Sequence, residues 1–441
     1  MRFFPQALKG ILVLWLLGLS GAEASAQPAA DLEAGKQAYV DNCARCHGPA
    51  GAGDGRDAKR MYPLPRPLAE GIFKFRTTAS GTPPTDEDLY HTISQGLPGS
   101  RMPEFQRLPE ETRRQLVQYV KSLTPIFQEQ KPEPLDLGSD PGLGRADLAR
   151  GKGLYTQLGC NACHGSLGRG DGPSAATLVD QWGKPTRAAD LTQGWKYRSG
   201  AAPRDILTRL MTGLDGTPMP SYAEAVSSAA EVWDLAYYVH SLQTKPAWSR
   251  AIRAAKAAGP LPASADDSAW QKAPRADVRL SGLYYRGGEI LPATVHAISA
   301  QALYNENEIA FRLSWHDPSE NQENPSDAVE LALLADRKKK WEVGSLRSWP
   351  PAGVEASMLE TTRWATLGTK IPASYADGEW NVVLKRPRPA GENSAPLIGF
   401  MVWDGGNQEQ GRHRASSQWL DLVLTVPGLR PGTDLEKEIP R

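Results

Sequence analysis

Cys43-Ala44-Arg45-Cys46-His47 recurs as Cys160-Asn161-Ala162-Cys163-His164, and these two stretches hold all four cysteines of the 441-residue chain. Two thiols three positions apart, followed directly by a histidine, have the spacing of covalent c-type haem attachment. The spacing follows from the chemistry: two sulfurs must reach the two vinyl groups of one porphyrin while the adjoining imidazole is set on its iron. The same C-x-x-C pair also occurs in thioredoxin-like redox sites and as half of a zinc site. Those readings require a β-α-β context or further ligands that this chain does not display. Two covalent haems c are therefore expected, one on Cys43 and Cys46 with His47, one on Cys160 and Cys163 with His164.

The repetition runs well beyond five residues. Gly48 and Gly53-Asp54-Gly55 follow the first motif as Gly165 and Gly170-Asp171-Gly172 follow the second. Met102-Pro103 and Met219-Pro220 each lie 59 residues after the first cysteine of their motif. Between these landmarks, Lys74-Phe75-Arg76 mirrors Lys196-Tyr197-Arg198. Each unit opens with a helical pattern, Asp31 to Tyr39 or Asp147 to Tyr155, whose leading aspartate suits an N-cap. Each closes with a second helix, Glu110 to Leu123 or Ala229 to Leu242, whose apolar residues recur at helical spacing.

This order of helix, C-x-x-C-H, glycine-rich loop, Met-Pro loop and helix resembles class I cytochrome c across residues 31–124 and 147–243. The resemblance implies that the motif histidine is the proximal iron ligand and the loop methionine the distal one. It thus pairs His47 with Met102 and His164 with Met219, a ligand set that raises reduction potential relative to two histidines. Met61 and Met211 lie off the shared Met-Pro position and read as packing residues. His91 is an alternative distal ligand for the first haem. It and His240, on the last helix of the second unit, read more plainly as surface or core histidines.

The chain is long enough for three domains, each with its own core. Lys+Arg and Asp+Glu both number 50, a balance that argues against a nucleic-acid partner. Arg2 and Lys9, the apolar run Ile11 to Leu19 and Ala24-Ser25-Ala26 form a secretory signal over residues 1–26. Cleavage is expected after Ala26, with retention of the segment as an anchor as the alternative. No later stretch reaches the ~18 apolar residues of a membrane span. Export agrees with the motifs, because bacterial c-type cytochromes, which the chain resembles, receive haem outside the inner membrane, and the expected address is the periplasm. The expected domains are a cytochrome unit at 27–126, a linker at 127–146, a second unit at 147–244, a linker at 245–264 and a third domain at 265–427. A tail follows at 428–441. The second linker, after Pro246, reads as a short Ala/Lys/Arg helix.

The third domain differs in composition, holding eight of the thirteen tryptophans. Ile309, Phe311, Leu313 and Trp315 alternate with more polar residues, and similar runs lie at 329–333, 380–384, 397–403 and 419–426. Short alternating strands between polar loops predict an antiparallel β-sandwich, giving a multidomain chain of two all-α units and one all-β unit. The tryptophans read as core or interface residues rather than a sugar platform.

Phe311-to-Asp317, Asp327-to-Leu331 and Phe400-to-Asn407 resemble the haem-b-binding domain of ethylbenzene dehydrogenase γ subunits. That architecture is shared with carbohydrate-binding modules of family 9. The resemblance implies a docking role on a molybdopterin oxidoreductase and a haem b held by methionine and lysine. Val343 and Arg414 stand at those positions, and neither supplies a lone pair to iron. His413 is the candidate substitute ligand and Met401 a second, against a plain loop histidine beside two arginines; loss of the third haem is the favoured expectation. A periplasmic dihaem electron carrier with a redox protein partner is thus expected. A dihaem peroxidase or thiol-oxidising enzyme, which needs an open iron position, and a cytochrome targeted by a sugar-binding module are the alternatives.

Overall fold

A computed structural model describes residues 23–286, 289–322, 325–334, 360–362, 373–388 and 396–424. The apolar run of the signal, Val343 and the tail at 428–441 lie outside these residues. Nine helices are described: α1 (Glu23–Asn42), α2 (Ala44–His47), α3 (Asp86–Gln95), α4 (Glu110–Ser122), α5 (Ile126–Glu129), α6 (Leu148–Gln157), α7 (Cys160–His164), α8 (Pro203–Thr212) and α9 (Ala229–Ser241). Among the described residues no helix is long and apolar enough to cross a membrane.

Glycine decides how closely the first and last helices of each repeat approach. A Cβ on Gly35 of α1 would lie 2.2 Å from the Gln115 carbonyl oxygen of α4. On Gly151 of α6 it would lie 2.3 Å from the Asp234 carbonyl oxygen of α9. Both contacts are shorter than any side chain tolerates, so the crossings require the residue without one. Tyr39 of α1 and Leu116, Val117 and Val120 of α4 form one core with Phe73, Leu89, Ile93 and Phe105, which Cys43, Ala44 and Met102 also touch.

The expected N-cap is present at Asp147, whose Oδ1 accepts the Arg150 N–H at 3.0 Å. At Asp31 it is absent. The alanine-rich residues upstream extend α1 back to Glu23, and the Asp31 carboxylate instead accepts from Gln115 Nε2 at 3.1 Å.

The C-terminal region is a folded sheet of β1 (Ala251–Lys256), β2 (Ala276–Arg279), β5 (Ala297–Tyr304), β6 (Glu308–His316), β7 (Ala328–Leu334), β8 (Glu360–Thr362), β9 (Ala373–Ala376), β10 (Glu379–Pro387), β11 (Leu397–Trp403), β12 (Ala415–Ser416) and β13 (Leu420–Leu424), with β3 (Leu283–Arg286) and β4 (Glu289–Pro292) as a separate hairpin. The order is β8-β7-β11-β13-β1-β5-β6-β10-β9, with β2 on β5 and β12 on β11. Inward residues from both ends of this path, among them Phe311, Leu331, Trp380 and Phe400, meet in one core, as a sandwich requires. Trp315 stacks on Trp380 with ring centroids 6.4 Å apart, and both are buried, as expected of core tryptophans.

Two expectations need correction. The segment after Pro246 is no helix: residues 251–256 form β1, inside the region expected to be a linker. The sandwich is also not wholly antiparallel, because β1 runs parallel to β13 (Ala251↔Asp421) and to β5 (Ala254↔Ala302). Ile252 and Ala254 are completely buried while their neighbours are not, so pairing on both sides overrides the helical preference of an Ala/Lys/Arg stretch.

The chain divides into two compact units. One comprises Met1–Leu154, Leu178–Thr186 and Trp195–His240; the other comprises Tyr155–Thr177, Arg187–Gly194 and Ser241–Arg441.

Candidate functional site

In the first repeat α1 ends at Asn42 and α2 carries Ala44 to His47. The second has one residue more between Tyr155 and Cys160; Gly159 absorbs it by turning left-handed (φ 73°) and capping α7. Both arrangements converge on the same hydrogen bonds. Tyr39 Oη donates to the Gly48 carbonyl at 2.8 Å, and Tyr155 Oη donates to the Gly165 carbonyl at 2.7 Å. Gly55 and Gly172 lie against the motif backbone, where a Cβ would meet the carbonyl oxygens of Arg45 and Ala162 at 2.4 and 2.3 Å.

Both motif histidines are held through Nδ1. His47 Nδ1 lies 3.1 Å from the Arg66 carbonyl oxygen and His164 Nδ1 2.8 Å from that of Ala189. A carbonyl only accepts, so the proton belongs on Nδ1 and the Nε2 lone pair is left for a metal. Burial pushes the pKa of each imidazole down, which keeps it neutral and ligating. The hydrogen-bonding carbonyls of Arg66 and Ala189 escape sequence reading, because a backbone acceptor leaves no residue signature.

Burial, reinforced by Cys46, pushes the Cys43 thiol up to about 12. Zinc and disulfide exchange use thiolates, which this environment suppresses; thioethers are neutral and suffer no such penalty. The described cysteines are all free of disulfides. Two neutral thiols and an oriented imidazole fit a covalently attached haem.

The methionine loops share one construction. Leu97 N–H donates to the Met102 carbonyl at 3.0 Å, and Ser100 Oγ accepts from Met102 N–H at 3.1 Å. In the second repeat Leu214 N–H donates to the Met219 carbonyl at 3.1 Å, and Thr217 Oγ1 accepts from Met219 N–H at 3.3 Å. Gly96 (φ 65°) and Gly213 (φ 64°) start the loops in left-handed geometry. A Cβ on either would strike the Pro103 or Pro220 backbone, so the Met-Pro segment lies tight over its glycine. Met102 and Cys43 contact the same core, whereas His91 is exposed on α3. His240 is occupied structurally, with Nδ1 3.0 Å from the Ala201 carbonyl oxygen.

Residues 30–120 match the family model described as cytochrome c oxidase, cbb3-type, subunit III, and residues 148–243 match the model of cytochrome c. These two segments are cytochrome c domains. The chain is 28% identical over 214 residues to the chlorate reductase subunit gamma of Ideonella dechloratans, covering 40% of this chain and 86% of that protein. It is 28% identical over 222 residues to the cbb3-type cytochrome c oxidase subunit CcoP of Azospirillum sp. (strain B510), covering 47% and 61% of the respective chains. Among solved structures, a chain of the Kuenenia stuttgartiensis reducing HAO-like protein complex Kustc0457/Kustc0458 is 45% identical, with a TM-score of 0.46. The match covers 48% of this chain and 96% of that one. Two cytochrome c domains carry two covalent haems c.

In the sandwich, His413 is buried rather than solvated, 5% exposed, with Nε2 3.5 Å from the Pro292 carbonyl oxygen. Arg414 is buried beside it, its Nη1 donating to Gly411 and its guanidinium 5.4 Å from the Trp403 ring centroid. Met401 is completely buried with Ala332, Trp403 and Trp419. Asp317, Asp327 and Asp404 bring carboxylate oxygens within 4.8 Å of one another. Sequence reading missed this cluster because its members are scattered over three loops.

Proposed function

We propose that the chain is an exported, periplasmic dihaem c-type cytochrome that passes single electrons to or from a respiratory oxidoreductase. Cys43 and Cys46, and Cys160 and Cys163, form the thioethers. His47 with Met102, and His164 with Met219, take the axial positions. The observation that carries this reading is the duplicated motif whose histidine is fixed in the Nδ1–H tautomer by a backbone carbonyl. A bound haem supplies a one-electron couple of fairly high potential, and the protein sets its ligands, its shielding and its docking. Arg66 and Ala189 orient the imidazoles, Tyr39 and Tyr155 close the loop behind each motif, and the apolar core around Met102 excludes water from the first site.

The β-sandwich is the docking module, on the γ-subunit resemblance of its motifs, and a molybdopterin oxidoreductase is the partner that this favours. The paired methionine loops disfavour the peroxidase reading, which needs an open iron. The domain limits follow the repeat, at 27–126 and 147–244, with the sandwich starting earlier than its tryptophan-rich sequence suggests, at β1.

Mass spectrometry of the exported protein should give a chain starting at Gln27 with two haem additions. Cys43→Ala with Cys46→Ala should remove one addition. A single addition on the unmodified chain would overturn the assignment of one motif.

A further inference from the structure

The loop that carries Met219 is held from two directions. Within its own repeat, Leu214 N–H donates to the Met219 carbonyl, Met219 N–H to Thr217 Oγ1, and Thr217 N–H to the Leu214 carbonyl at 3.0 Å. From the first repeat comes Arg76, only 1% exposed. Its Nη2 donates to the Thr212 carbonyl at 2.9 Å and pairs with Asp215 Oδ1 at 2.8 Å. These two acceptors bracket Gly213 and Leu214, where the loop leaves α8. Ser80 Oγ donates to Asp215 Oδ1 at 3.0 Å and Gly81 N–H to Asp215 Oδ2 at 3.2 Å, so the first repeat engages both carboxylate oxygens.

The segment that grips the loop is itself fixed. Arg76 Nη1 donates to the Phe73 carbonyl at 3.1 Å and Nε to the Ala79 carbonyl at 3.3 Å. Leu135 N–H donates to the Thr77 carbonyl at 3.0 Å and Ala79 N–H to the Glu133 carbonyl at 2.9 Å, which pins residues 77–79 along the start of the linker. Arg209 of α8 donates Nη2–H to the Arg76 carbonyl at 2.6 Å and closes the contact from the other side. All of these residues belong to the same compact unit.

The arrangement is one-sided. The methionine loops align residue for residue, Leu97-Pro98-Gly99-Ser100-Arg101-Met102 on Leu214-Asp215-Gly216-Thr217-Pro218-Met219, and proline stands in the first where aspartate stands in the second. Pro98 offers no carboxylate for a cation to hold. Opening the second loop would pull Asp215 away from a guanidinium whose side chain is fully buried, and a buried charge left without its partner is what makes such pairs costly to break. We propose that Arg76 of the first repeat is a positioning residue for the distal ligand of the second haem, holding the Met219 loop closed through Asp215. This rests on the reading of Met219 as an iron ligand. Methionine ligation at the second haem then depends on the first repeat, whereas the Met102 loop is without this brace.

Imidazole binds the iron only where the methionine has left, so its affinity rises in proportion to the fraction of open loop. The test uses full-length holoprotein carrying Asp215→Asn, Arg76→Gln or both, in a Met102→Ala background, where the sulfur-to-iron band of the ferric protein reports the second haem alone. Loss of a charge-assisted bond should raise imidazole affinity at that haem about tenfold in either single variant. The double variant should exceed the singles by little, because the two side chains form one clamp. In a Met219→Ala background, where the band reports the first haem, the same substitutions should leave imidazole binding unchanged, which a general loosening of the chain would not. An affinity unmoved in either single variant, raised equally at the two haems, or fully additive in the double variant would overturn the brace. Met219→Ala alone tests the ligand: an unaltered spectrum would end the reading of Met219 and the brace with it, whereas a lost band with unmoved titrations overturns the brace only. Should Arg76→Gln fail to accumulate, Asp215→Asn decides it by the same readout.

Discussion

An imidazole serves iron from one nitrogen only when the other is spoken for, and here a main-chain carbonyl does that in both repeats. The consequence is a proximal ligand whose orientation survives loss of the distal one. Met102→Ala and Met219→Ala should each abolish the sulfur-to-iron charge-transfer band of one ferric haem and lower its potential while leaving both haems attached. Unchanged spectra in both variants would place the distal ligands elsewhere. The tyrosines are the second residue-level device. Tyr39→Phe removes one of two donors to the Gly48 carbonyl, the Gly51 N–H remaining at 3.1 Å, so chemical denaturation should register a loss of about 0.5–1.5 kcal/mol, and Tyr155→Phe a similar loss at Gly165, where the Gly168 N–H remains at 3.2 Å. The candidate cysteines and histidines could be named from the sequence because covalent haem attachment prescribes both residue type and spacing, and the candidate methionines because the Met-Pro pair recurs at the same offset. The carbonyls of Arg66 and Ala189 that hold the imidazoles could not, since a backbone acceptor leaves no residue signature.

Helix crossings and strand pairings carry the next level. Gly35 and Gly151 sit where α1 meets α4 and α6 meets α9, so Gly35→Ala or Gly151→Ala forces the helices apart, at a cost of about 1–3 kcal/mol. Thermal melting of the corresponding domain should fall by at least several degrees, and an unchanged midpoint would mean that the crossing is looser than its geometry indicates. In the sandwich, burial first, and then Asp404 and Asp327, hold the Asp317 carboxyl well above the usual range; burial likewise lifts Glu409 to about 7. Carboxyls with raised folded pKa values keep protons that the unfolded chain has already released. Their contribution is complete below the ordinary carboxylate range and is lost as pH rises through the folded values. The sandwich transition should therefore move to lower temperature between about pH 5 and pH 9, and Asp317→Asn should flatten that dependence. A transition that strengthens with rising pH over this window would contradict the argument. Strand β1 shows where sequence reading failed at this scale: its composition is helical, yet buried Ile252 and Ala254 alternate with half-buried neighbours, a period-two signal masked by small residues.

At the scale of the molecule, duplication explains why so much was readable. Two copies offset by 117 residues, from Cys43 and Cys160 through Gly96 and Gly213 to Met102 and Met219, test each other, so a landmark present twice is a constraint rather than a coincidence. The sandwich has one copy and no such internal control, and its buried acids come together only through the fold. Within its own compact unit, the sandwich meets the second haem motif's flank directly. Arg187 donates to Asn407, in the Trp403-to-Asn407 segment, and Arg169 lies against Gly378. His413 and Met401 are both buried, but Arg414 fills the space beside His413 with a protonated guanidinium packed on Trp403, an environment hostile to a haem iron. Complete reduction of the full-length protein should therefore consume two electrons per chain, and acidified organic solvent should extract no stoichiometric haem b. Uptake of a third electron together with one extractable haem would show that the sandwich retains its cofactor, and loss of that haem in His413→Ala would then identify the ligand.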